Sequence, residues 1–113
     1  MVGEEFPPAE TTRLVAEKMK GLTGHSPQAG ALRIVDAQGT GTGTGWPIRV
    51  RGTVESDQWQ SARTWETEFV PEDTLAGESA EGNASALADC FLILVIEDLA
   101  VGPVPGIQEI LQP

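Results

Sequence analysis

Two stretches of alternating side chains, separated by a short loop and carrying opposite charges, commit the middle of this chain to an antiparallel hairpin. In residues 46–55, Ile48, Val50 and Val54 alternate with Arg49, Arg51, Thr53 and Glu55; in residues 62–70, Trp65, Thr67 and Phe69 alternate with Glu66 and Glu68. Alternation of period two marks strands with one buried face. The register that sets Ile48 opposite Phe69 also sets Arg49 against Glu68, Val50 against Thr67 and Arg51 against Glu66. Gly52 then lies under Trp65, whose ring covers a residue that has no side chain. A slip of one residue would turn charges into the core. The ion pairs face water and are worth about 0–1 kcal/mol each, so their use is in fixing register. The loop spans residues 56–61 with Trp59 near its tip. There Trp59 either tucks back onto the sheet or stands out as an anchor for a partner, a role in which Trp is enriched.

An apolar sheet face has to be covered, and helical patterns flank the hairpin. Residues 9–22 put Val15, Met19 and Leu22 on one helical face with Leu14 beside them, Glu10 near the start and Lys18 and Lys20 near the end, as the helix dipole favours. Gly21 and Gly24 are available to end this helix. Residues 31–37 read as a strand, and Gly39 to Gly45 as a flexible connection; its Gly-x-Gly-x-Gly spacing has no following Lys and leads through Trp46-Pro47 into a strand, which excludes a phosphate loop. Residues 71–82 are acidic and aperiodic, the pattern of a loop. Residues 84–101 contain neither Gly nor Pro and are apolar all round at their centre, where periodicity does not separate helix from buried strand; length favours helix, and a helix also leaves the charged sheet face open. Residues 102–113 form a Pro-rich tail whose Ile107, Ile110 and Leu111 fold back or dock on a neighbour. The expected fold is a single small α+β domain over 1–113, a three-stranded antiparallel meander with an N-terminal and a C-terminal helix on one face. At 113 residues the chain suits one core.

Charge narrows function. From Thr64 onward there is no Lys, Arg or His, while Glu66, Glu68, Glu72, Asp73, Glu78, Glu81, Asp89, Glu97, Asp98 and Glu109 supply the whole net charge of -10. Such a surface repels phosphate backbones, so nucleic acid is excluded as a partner. The longest apolar run, residues 90–96, is far below the roughly 20 residues that cross a bilayer, so no membrane partner is expected. The opening MVGEEFPPAE has no signal-like pattern and Cys90 stands alone. The expected setting is cytoplasmic, or an intracellularly assembled particle.

Chemistry finds little to work with. His25 is the single imidazole, Cys90 adjoins the most apolar run, and Ser26 before Pro27 reads as a turn cap. The carboxylates from Glu72 to Glu81, with Asn83, lack calcium-loop spacing, and Asn83-Ala84-Ser85 matches a glycosylation sequon without a secretory context. No cofactor and no metal are expected. The leading expectation is a non-catalytic protein-binding or assembly subunit, a homo-oligomer or a structural component of a larger particle such as a virion. Its contacts would be Trp59, Glu66, Glu68, Glu72, Asp73, Ile107, Ile110 and Leu111, and its partner a protein with a basic surface or copies of itself. The rival is a small enzyme or small-molecule-binding protein with a pocket between sheet and helices, near Asp36 or Asp89.

Overall fold

The computed structural model describes residues 7–40, 45–75 and 77–111. Helix α1 (Pro8–Met19) leads into strands β1 (Thr23–Ser26), β2 (Gly30–Thr40), β3 (Ile48–Ser56) and β4 (Arg63–Phe69). A 3-10 turn (Pro71–Asp73), a long helix α2 (Ala80–Val101) and strand β5 (Ile107–Ile110) complete the chain. The molecule is a small α+β domain. Its antiparallel sheet has five strands in the order β1-β2-β3-β4-β5, where the sequence pattern shows three.

The hairpin has the register set by its alternation: Ile48 faces Phe69, Arg49 faces Glu68, Val50 faces Thr67, Arg51 faces Glu66 and Gly52 faces Trp65. One detail differs. Gly52 is covered from the helical layer, where a Cβ would come within 2.8 Å of Met19 Cε and of the Phe91 ring. Strand β2 keeps Leu32, Ile34 and Ala37 pointing inward by means of a bulge between Ile34 and Asp36, which leaves Val35 and Asp36 exposed.

The two added strands are short. Ser26 is fully buried, and its hydroxyl accepts the Gln28 and Ala29 amides at 3.1 and 3.2 Å, so it caps the turn that makes β1 an edge strand. His25 lies in β1. Residues 107–110, expected in a Pro-rich tail that folds back or docks on a neighbour, pair with β4, with Thr67 opposite Ile107 and Trp65 opposite Glu109. Gln112 and Pro113 lie outside the described residues, as do Met1 to Phe6, Ala76 and the central part of the Gly39 to Gly45 connection.

Pro8 occupies the first turn of α1, where its missing N–H has no cost, and the Thr11 amide donates to Pro7 O at 2.9 Å. The helix stops at Met19, ahead of Gly21 at φ +87°, so Leu22 lies beyond it and Gly24 sits in β1. Helix α2 starts four residues before the sequence pattern, because Ser79 caps it by accepting the Gly82 amide at 2.9 Å. Asn83 then locks the preceding loop. It is buried, accepts the Leu75 amide at 2.7 Å and donates to Leu75 O and Ser79 O, a set of bonds that leaves its amide unavailable to a metal or a glycan. Both helices lie on one face of the sheet, and Val15, Met19, Phe91, Val95 and Trp65 fill the space between the layers.

Candidate functional site

Strand β5 ends the sheet, and its outer edge has no neighbour among the described residues. Natural edge strands are usually blunted by shortness, by Pro, by charged side chains, Lys above all, or by a covering element, and β5 has the first of these at four residues. Ile107, Gln108, Glu109 and Ile110 include neither Pro nor a cation.

Beneath β5, toward the C-terminal end of α2, lies an open cleft of about 560 Å³. Arg63, at the start of β4, forms its floor. Its Nε and Nη2 donate to Glu109 at 2.8 and 2.6 Å in a two-pronged fork, and its guanidinium lies 4.7 Å from the Trp59 ring and 5.1 Å from that of Trp65. The pair is partly screened from water, at 36% exposure for Arg63 and 21% for Glu109. Hydrogen bonding to Glu109 raises the pKa of Arg63 above its ordinary value, against the lowering effect of partial burial. Asp98 ties the cleft to the fold. It accepts the Trp65 indole N–H at 3.0 Å and the Val104 amide at 3.2 Å, which holds together β4, the end of α2 and the turn into β5.

On the other side, β5 covers only Thr64 to Thr67 of β4, which leaves a notch beside Glu68 and Phe69. Glu66, Glu68, Asp73 and Arg49 line this second depression, of about 520 Å³. Ile107 borders both hollows.

Of the contacts expected from the sequence, Trp59, Ile107 and Leu111 come together in the cleft, and Glu66, Glu68, Asp73 and Ile107 in the notch. Glu72 and Ile110 line neither. Trp59 is half-buried and packs on Trp65, with ring centroids 6.0 Å apart; it is tucked back, with part of its surface left to the cleft. Sequence reasoning missed Arg63, Glu109 and Asp98.

The acids do not act as one block. Glu66, Glu68 and Glu109 are neutralised by Arg51, Arg49 and Arg63 from upstream. Glu72, Asp73, Glu78, Glu81, Asp89, Glu97 and Asp98 pair with no Lys or Arg among the described residues, and all lie on the 3-10 turn, α2 and the loop between them. The open sheet face, by contrast, is a ladder of matched pairs, extended by Arg33 and Glu55. Asp36 and Asp89 are both exposed and line none of the hollows around β5.

His25 and Cys90 are separated by the sheet. Gly24 packs on Leu92 and Ile96 of α2, so the next residue, His25, points to the opposite face. Partial burial, and then the charges of Asp73 and Glu97, push the Cys90 thiol pKa up. Alkylation of Cys90 by iodoacetamide is expected to reach half-maximal rate at higher pH than a free thiol, near 8.5, and Glu97→Gln should move that midpoint down. The folded thiol keeps its proton beyond the point where the unfolded one ionises. Its contribution to stability is therefore intact below the unfolded pKa and is lost as pH rises through the folded one.

Among the described residues no group of His, Cys, Asp and Glu side chains could hold a metal ion, and no helix is long and apolar enough to cross a membrane. No family model, curated protein or solved structure matches this chain.

Proposed function

We propose that the protein is a non-catalytic binding subunit that takes an extended segment of another protein onto the free edge of β5. The observation that carries this reading is the open, cation-free outer edge of β5, unpaired among the described residues, between two hollows of net negative lining. Arg63 offsets Glu109 in the cleft, and Arg51 and Arg49 offset Glu66 and Glu68 in the notch, which leaves Asp98 and Asp73 as the unpaired charges of the two hollows. Main-chain pairing would supply affinity, and side chains entering the hollows would supply specificity. Alternate positions of an added strand point to one face, so Lys or Arg there suits either hollow, according to register. A second copy paired through β5 would set like-charged hollows against each other, so a partner with a basic surface is favoured over self-assembly. The same edge would serve if that partner is a neighbouring subunit of a larger particle.

The test is a titration of the isotope-labelled protein with a synthetic alternating Lys-Val peptide and its Glu-Val counterpart. The Lys peptide is expected to protect the β5 amides from exchange and to change Trp59 fluorescence; the Glu peptide should do neither. Protection confined to other strands, or no protection at all, overturns the reading. A small molecule that fills the cleft and leaves the β5 edge exchanging freely would favour a ligand-binding role instead.

A further inference from the structure

A surface helix ordinarily shows one apolar stripe to the core and a polar face to water; a helix apolar all round is a buried one. Helix α2 breaks this rule. Its inner face carries Leu87, Ala88, Phe91, Leu92 and Val95 into the core, yet its outer face presents Ala86, Cys90, Ile93, Glu97 and Val101, with Ile93 at 55% and Val101 at 75% exposure. Asp89 and Glu97 are the helix's own charges on that outer side, and the Asp73 carboxylate also acts on Cys90; none of the three pairs with a cation among the described residues. The small residues Ala86 and Ala100 flank Ile93 at the spacing of a helix-packing seam, which would let a second helix approach closely.

The geometry points to this outer face of α2 as a docking surface for an amphipathic helix of a different chain, one with Lys or Arg on both sides of its apolar seam. The choice of occupant follows from charge. A second copy packed antiparallel with Ile93 on Ile93 would place Asp89 against Glu97 of that copy, twice over. A parallel copy would set each acid against its own duplicate. Neither arrangement contains a cation, because α2 and everything after it lack Lys, Arg and His, and like charges in an apolar contact oppose binding. A foreign helix with two cations about 12 Å apart, the axial distance from Asp89 to Glu97 at 1.5 Å per residue, satisfies both acids and covers Ile93. Glu97, lying in the seam itself, would fix the register, as single polar residues do in coiled coils. This surface is on the helical side of the molecule, and it stands independently of strand addition at β5.

The single cysteine lies in the seam, so it reports occupancy. The probe is a synthetic amphipathic helix of about five turns with an Ala/Leu seam flanked by Lys, compared with the same peptide carrying Glu. With the native protein, the Lys peptide is expected to slow Cys90 alkylation about tenfold and the Glu peptide not at all. Ile93→Ser, which alters no charge and replaces an exposed side chain, should weaken binding of the Lys peptide about tenfold. Glu97→Gln should weaken it as well, and salt should do so for every form. If Ile93→Ser binds as tightly as the native protein, the attraction is only that of a polycation for an acidic chain and the inference falls. It also falls if the protein alone sediments as a dimer in which Cys90 is already protected, since the occupant is then a second copy.

Discussion

Gly52→Val is expected to destabilise the domain by about 3 kcal/mol or more, at the upper end of what overpacking costs, and to lower the urea midpoint accordingly. Glycine inside a strand is ordinarily a weakness, and replacing it by alanine recovers about 0.5–1 kcal/mol of backbone entropy. Sterics reverse the sign here. A Cβ at position 52 would come within 2.8 Å of both Met19 Cε and two carbons of the Phe91 ring, where real Cβ contacts are not found. The methionine end can move, but Met19 and Phe91 are fully buried and have little room to yield. Thr53→Val, on the open face of the same strand, should cost no more than about 1 kcal/mol, the worth of its part-buried hydrogen bond to Thr64. Phe91→Leu combined with Gly52→Ala should cost less than the two changes added together, because the smaller side chain vacates the space that the new methyl needs.

The same contact shows what the chain's pattern does and does not reveal. Gly52 reads as a residue needing cover, since its neighbours alternate and it does not, and its cross-strand partner Trp65 follows from the charges alone. That the cover comes from Met19 and Phe91 depends on how two helices cross a sheet, which no alternation encodes. The short strands were hidden for a different reason. Thr23–Ser26 contains Gly, His and Ser, and Ile107–Ile110 follows Pro103, Pro105 and Gly106, so neither has the length or side chains from which a strand is recognised. Missing β5 also concealed the cleft. Arg63 and Glu109 are 46 positions apart and meet only because β5 lies beside β4. The charge asymmetry was plain in the chain, but its meaning was not. Upstream arginines neutralise the acids of β4 and β5, so the anionic surface narrows to α2 and the segment leading into it.

Trp65→Ala should cost about 3–5 kcal/mol, the usual cost of removing a large buried aromatic, because the ring is wholly buried and joins the core to the cleft. Its indole N–H is the polar part of that joint. Trp65→Phe keeps most of the packing, and so should cost mainly the hydrogen bond to Asp98, about 1–2 kcal/mol. The two losses differ in where they act. Asp98 receives Trp65 from β4 and the Val104 amide from the turn into β5, so loosening Asp98 loosens the seat of the edge strand before it loosens the core. Hydrogen exchange should therefore accelerate in Ile107–Ile110 in Trp65→Phe and in Asp98→Ala, while the amides of β3 remain protected. The double substitution should add little beyond Asp98→Ala alone, since both remove one interaction. If β3 and β5 instead lose protection together in Trp65→Phe, the indole hydrogen bond serves the whole core, and β5 is not a separately seated edge.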